Sequence, residues 1–247
     1  MRNEMKGDLR LKLVSQLAKS GEYEKVPEIF DRYIEREVLD EFHYSNADKL
    51  EAAEAMFEII ERYPALLDRL SENITKWAFV SAELPDRFIT AVFARRLKDK
   101  DVLDADGLTL PMALMKNSLY MFVGAAKDPG GSFLSDIQTL ELLYDEIGFD
   151  VNAVNKEGEN ILMYMCKPGN QYPPVLSWAK FFIEHGVNIY HKNNTGQDLF
   201  DLIRERGRSA KWNSDKDQIE EVSEFLAHAA KEMKNREKEP ICMDLAR

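Results

Sequence analysis

Apolar positions recur at helical spacing along most of the chain. Leu13, Val14 and Leu17 share one face within residues 9–20, and Ser20-Gly21 ends that helix. Val26, Ile29, Phe30, Tyr33, Ile34 and Val38 form the stripe of a second helix over 22–39. Pro27 sits near its start, where a missing N–H costs little. Asn46 is a helix-capping type, and Leu50, Ala53, Met56, Phe57 and Ile60 mark a third helix that ends before Pro64. Phe88, Ile89, Val92, Phe93 and Leu97 continue the pattern through 87–98. Helices are also predicted over 75–83, from 109 to about 123, over 134–147 and 175–185, from 198 to about 206, and from 216 to about 236. Gly148 and Gly186 stand where a left-handed residue closes a helix. The pattern predicts an all-α chain.

Three stretches break the helical pattern in the same way. They read Asp101-Val102-Leu103-Asp104-Ala105-Asp106-Gly107, Asp150-Val151-Asn152-Ala153-Val154-Asn155-Lys156-Glu157-Gly158 and Val187-Asn188-Ile189-Tyr190-His191-Lys192-Asn193-Asn194-Thr195-Gly196. Each is a polar turn closed by glycine, for which positive φ carries no steric cost. Two residues on stands a good N-cap type: Thr109, Asn160 or Asp198. Stepping back from Thr109 reaches Thr75, so the intervals are 34, 51 and 38 residues. The first matches a repeat of about 33 residues built from a turn and two helices. The others are one such unit with residues inserted. Residues 65–73 stand where a fourth turn is expected, without its glycine.

Over roughly residues 66–235 this arrangement resembles the ankyrin repeat family. Of the family motif Gly-x-Thr-Pro-Leu-His, Thr109 keeps the threonine, and Asn160 and Asp198 replace it with other caps. Leu110, Ile161 and Leu199 occupy the proline position, and Met112, Met163 and Asp201 the histidine position. Phe182 to Asn188 closes a helix as ankyrin helices do. The resemblance implies a curved solenoid of helix pairs with projecting finger turns, used mostly to bind proteins. Residues 1–65 are then an N-terminal helical cap or degenerate repeat, 66–236 about four units, and 237–247 a mobile tail. An atypical end unit is expected, because a bare stack end exposes an apolar face. The plainer alternative is an ordinary helix bundle joined by three such turns, which are common.

On this reading a binding groove is lined by finger residues Asp106, Leu108, Glu157, Glu159, Asn194 and Gln197. Reversing Glu157 and Glu159 to lysine is expected to weaken binding without unfolding the chain. Inserts at 127–132, 167–174 and 207–215 fall between the helices of a pair, so in a stack they project from one edge. Phe133, Tyr172 and Trp212 lie in or beside them; such aromatics suit an interface anchor and equally suit packing their own loops.

Composition narrows the function classes. The 247 residues, 45% hydrophobic, suffice for one extended repeat domain or two compact ones. A formal net charge of −11 argues against a general nucleic-acid binder. It favours a partner with a basic surface, as well as plain solubility. No apolar run approaches the ~20 residues that span a bilayer, and residues 1–8 lack an apolar leader. The expected location is cytoplasmic, with Cys166 and Cys242 as free thiols. No phosphate-binding loop, nucleophile elbow or paired-histidine zinc motif occurs, so neither cofactor nor metal is expected. Of the four histidines, His185 and His191 flank a turn and read as structural, and Met112, Met115, Met163, Met165 and Trp178 read as core. The expected function is non-enzymatic binding of a dedicated protein partner, by family analogy as a neutralising immunity protein or inhibitor. The alternatives are a secreted pathogen effector that captures a host protein, an enzyme using Glu35, Glu37, Asp40, Glu41 and His43 as acid and base, and an oligomer-forming structural protein.

Overall fold

The apolar stripes fold as helices and decide which side of each is buried. The structure, a computed structural model, describes residues 9–39, 46–83, 88–116, 132–168, 176–210 and 213–236. Among them regular structure is helical, with isolated bridges Leu103–Thr109 and Lys192–Asp198 and no strand. The chain divides into two compact units, Met1–Phe149 and Asp150–Arg247.

In the first unit, α1 (Leu9–Ser20) buries Leu11, Val14, Leu17 and Ala18. Leu13, expected on that face, lies outward at 44% exposure. A 3-10 turn (Tyr23–Lys25) precedes α2 (Val26–Glu37), so the second helix starts later than its stripe implies and places Pro27 in its first turn. Here α3 (Asn46–Arg62) buries Ala53, Met56, Phe57 and Ile60. Next come α4 (Pro64–Arg69) and α5 (Ser71–Ala82), and the turn expected over 65–73 is helical instead. Leu66, Leu70 and Ile74 explain this: at i, i+4 spacing they are all buried, and no glycine interrupts them. Thr75 is therefore not a cap. It sits one turn inside α5, and its hydroxyl donates to the Ser71 carbonyl at 3.0 Å. The 34-residue interval therefore does not run from one cap to the next.

Then α6 (Phe88–Ala94) packs on α5 and α3, with Phe93 between Phe57 (centroids 5.8 Å) and Trp77 (5.9 Å). Asp31 of α2 accepts from Trp77 Nε1 at 2.8 Å and Asn73 Nδ2 at 3.0 Å, which ties α5 to α2. Helix α7 covers 110–116. The next, α8 (Ser132–Glu141), runs into a π-helical turn (Leu142–Ile147), and Gly148 closes it at φ 80°.

The second unit holds α9 (Ile161–Cys166), α10 (Leu176–Glu184), α11 (Leu199–Ser209) and α12 (Asn213–Arg236). Helix α9 packs on α11, and α12 on both α10 and α11. Trp178 stacks on Phe182 at 6.2 Å, and Phe181 meets Phe182 edge-on at 5.3 Å. Met112, Met115, Met163, Met165 and Trp178 are buried in their units, as core residues. Helix α11 runs past Arg206, whose guanidinium donates to the Met165 and Lys167 carbonyls at 3.0 and 2.9 Å. Tyr172, Trp212 and most of the inserts, like the tail 237–247, lie outside the described residues, as does the side chain of Phe133 at the start of α8.

Candidate functional site: three repeated turns

All three glycine turns close on an Asp or Asn three residues before the glycine. The backbone N–H of Asp104, Asn155 and Asn193 donates to the carbonyl of Leu108, Glu159 and Gln197, at 2.9, 3.0 and 2.9 Å. The glycine N–H returns to the same Asp or Asn carbonyl at 3.0, 2.9 and 2.9 Å. The side-chain oxygen of that residue accepts from the N–H after the glycine, at 2.7, 2.9 and 3.0 Å. Gly107, Gly158 and Gly196 have φ of 78°, 75° and 81°. The side chain thus mimics a backbone turn. This spacing was present in the sequence, but only the glycine and the cap stood out there.

Each turn then starts a helix through its cap. Thr109 Oγ1 accepts from Met112 N at 3.4 Å, and Asn160 Oδ1 from Met163 N at 3.0 Å. Asp198 accepts from Asp201 N at 3.0 Å, and Asp201 returns the bond at 3.4 Å. That reciprocal box gives Asp201 a role in starting the helix.

In the second unit the turns at 150–159 and 187–197 dock on each other. Asn194 donates its N–H to the Glu157 carbonyl and its Nδ2 to the Lys156 carbonyl, both at 3.0 Å. His191 Nε2 lies 2.8 Å from the Gly158 carbonyl, so that nitrogen carries the proton. Asn188 N donates to Asn152 Oδ1 at 2.6 Å, and Asn160 Nδ2 to the Asn188 carbonyl at 2.9 Å. The approach is so close that a Cβ at Gly158 would collide with the Asn194 carboxamide. The second turn is also moored to α12, where the Tyr190 hydroxyl donates to the Ala230 carbonyl at 3.0 Å.

Of the finger residues predicted to bind, Asp106 and Asn194 are exposed, and Glu157 and Gln197 half-buried. Lys116 meets Asp106 at 2.7 Å, and Gln197 donates to Glu205 at 3.2 Å. Leu108 and Glu159 face inward at 5% exposure each, which corrects their placement in the groove. Glu159 accepts from Asn155 Nδ2 and Lys167 Nζ, both at 2.9 Å. A lysine there would bury a second ammonium against Lys167, so the double reversal is not a clean surface test. Two residues missed by sequence reasoning are Leu103 and Val154, four before their glycines and 37% and 39% exposed. Lys192 holds that place in the third turn and is exposed.

The ionisable groups elsewhere are tied to the fold. Glu37 is buried and pairs with Arg10 at 2.5 Å and Arg36 at 3.6 Å, and exposed Glu35 lies 4.0 Å from Lys76. Asp40, Glu41 and His43 lie outside the described residues. His185 Nδ1 contacts the Phe181 carbonyl at 2.7 Å, and His228 lies 3.9 Å from Glu232. Burial pushes the Cys166 thiol up to about 12, against a smaller opposing pull from Arg206. Among the described residues no three potential metal ligands cluster, and no helix is long and apolar enough to cross a membrane. No protein-family model and no curated protein sequence matches the chain.

Proposed function

We propose that this chain is a non-enzymatic protein-binding module of ankyrin type, and that its finger turns meet a dedicated protein partner. One observation carries the reading: the same Asx–glycine turn is built three times, and each leaves side chains outside that its own hydrogen bonds do not use. These are Leu103 in the first turn, Val154 and Lys156 in the second, and Lys192 in the third. Helices hold the turns from behind, so contacts presented there lose little entropy on binding. Exposed apolar residues beside charged ones match the mixed character of non-obligate interfaces. The net charge of −11 favours a basic partner. Neutralising such a partner, as an immunity protein or inhibitor does, is the role we assign.

The test is affinity capture from the native cell. The tagged intact chain is compared with a variant carrying Leu103→Asp, Val154→Asp and Glu157→Lys, whose fold is checked by circular dichroism. One dominant partner that the variant loses supports the reading. A partner retained equally by the variant, or no stoichiometric partner at all, counts against it.

A further inference from the structure

The two docked turns of the second unit are equivalent in conformation but not in what covers them. In the first, the carbonyls of Lys156, Glu157 and Gly158 all accept hydrogen bonds, from Asn194 Nδ2, Asn194 N and His191 Nε2. Counting from each glycine, the corresponding oxygens of the next turn belong to Asn194, Thr195 and Gly196. Among the described residues no donor meets those three oxygens, and residues 194–196 are exposed. The glycines show the same contrast. A Cβ at Gly158 would meet Asn194, whereas one at Gly196 would meet nothing within 4 Å.

From this asymmetry we infer that the 194–196 edge is an acceptor site for an arginine side chain on a loop of the basic partner. The first turn supplies the template, three N–H groups from one neighbouring turn on three successive carbonyls. A guanidinium carries five N–H donors in a rigid plane and no acceptor. The same unit already uses one in this way, where Arg206 Nη1 spans the Met165 and Lys167 carbonyls. A carboxylate also lies close by, on the same surface as the turn's own exposed Lys192. The Glu205 carboxylate is held beside the turn by Gln197, while the nearby Arg204 is paired with Asp201 at 3.0 Å. The inference rests on the protein-binding reading above and adds the partner's chemistry and the edge that receives it.

The experiment uses the full chain, labelled with ¹³C and ¹⁵N. It is titrated with the blocked peptide acetyl-Gly-Gly-Arg-Gly-Gly-amide and with versions in which lysine or citrulline replaces arginine. Saturable carbonyl ¹³C shifts centred on Asn194, Thr195 and Gly196 are expected. Citrulline keeps three of the five N–H donors and loses the charge, so its binding should be at least about fivefold weaker. Equal responses to the arginine and lysine peptides, spread over the acidic helices, would show unspecific attraction and overturn the site. The same carbonyl shifts on raising protein concentration without peptide would name a second copy as the occupant and overturn it too. Partner capture that survives while these carbonyls stay silent removes this inference alone. A peptide response without any captured partner removes the binding-module reading.

Discussion

Gly158→Ala and Gly196→Ala form a matched pair that isolates the docking of one turn on the next. Both glycines have positive φ, 75° and 81°, and both close the same hydrogen-bonded turn. Adding a Cβ in that conformation costs each variant about 1 kcal/mol, up to ~2. At Gly196 nothing lies within 4 Å of the added carbon, so that cost is the whole effect. At Gly158 the carbon collides with Asn194 Oδ1 and comes within 2.9 Å of its Cγ and 3.0 Å of its backbone nitrogen. Asn194 must withdraw, giving up its bonds to the Glu157 and Lys156 carbonyls. Each is worth about 1 kcal/mol net. The expected losses are therefore about 3 kcal/mol for Gly158→Ala and about 1 for Gly196→Ala. Urea unfolding of both variants, followed by circular dichroism and by hydrogen exchange of the Asn194 amide, reads the difference. Equal losses in the two variants, with the Asn194 amide still protected in Gly158→Ala, would refute the docked arrangement.

Other substitutions separate interior from surface. Glu159→Lys breaks a largely buried ion pair and should cost about 3 kcal/mol or more, while Glu157→Lys should stay within about 0.5; urea midpoints compare them. Asp198→Ala removes the acceptor for Asp201 N and should cost about 1 kcal/mol by the same assay. Cys166 has its pKa raised from an ordinary 9.0 to about 12, so the folded state keeps a proton that the unfolded chain releases. Its contribution is complete below pH 9 and is lost as pH rises toward 12. Wild-type stability should fall relative to Cys166→Ala by about 1.4 kcal/mol per pH unit above pH 9, and curves that stay parallel from pH 8 to 10 would contradict the buried thiol.

Much of the helical framework was legible because it rests on local spacing. The stripes of α2 and α3, apart from Leu50, which is exposed, the stop before Pro64 and the glycines at 148 and 186 are each set within a few residues. Thr75 misled because an interval carries no information about burial: the unbroken stripe Leu66, Leu70 and Ile74 takes the chain through as helix. The position after the turn glycine misled in another way. Leu108, Glu159 and Gln197 look like a variable surface site, yet Glu159 is turned in by Lys167 and Asn155. Asn194 was chosen as an outward contact, but part of its work is to cap a turn at Lys156 and Glu157. Such long-range pairings follow from the fold and leave no periodic trace. The Asp104, Asn155 and Asn193 spacing did leave one, three residues before each glycine.

The central claim is that the outward faces of the turns meet a protein. Site-specific photo-crosslinking in the native cell tests it most directly. A photoreactive amino acid is placed at Leu103, Val154 or Thr195, and at Glu54 or Glu221 on exposed helix faces as controls. The account predicts one cross-linked partner, captured from turn positions and absent from the helix controls. Adducts from Glu54 or Glu221 alone, with the turn positions silent, would contradict it.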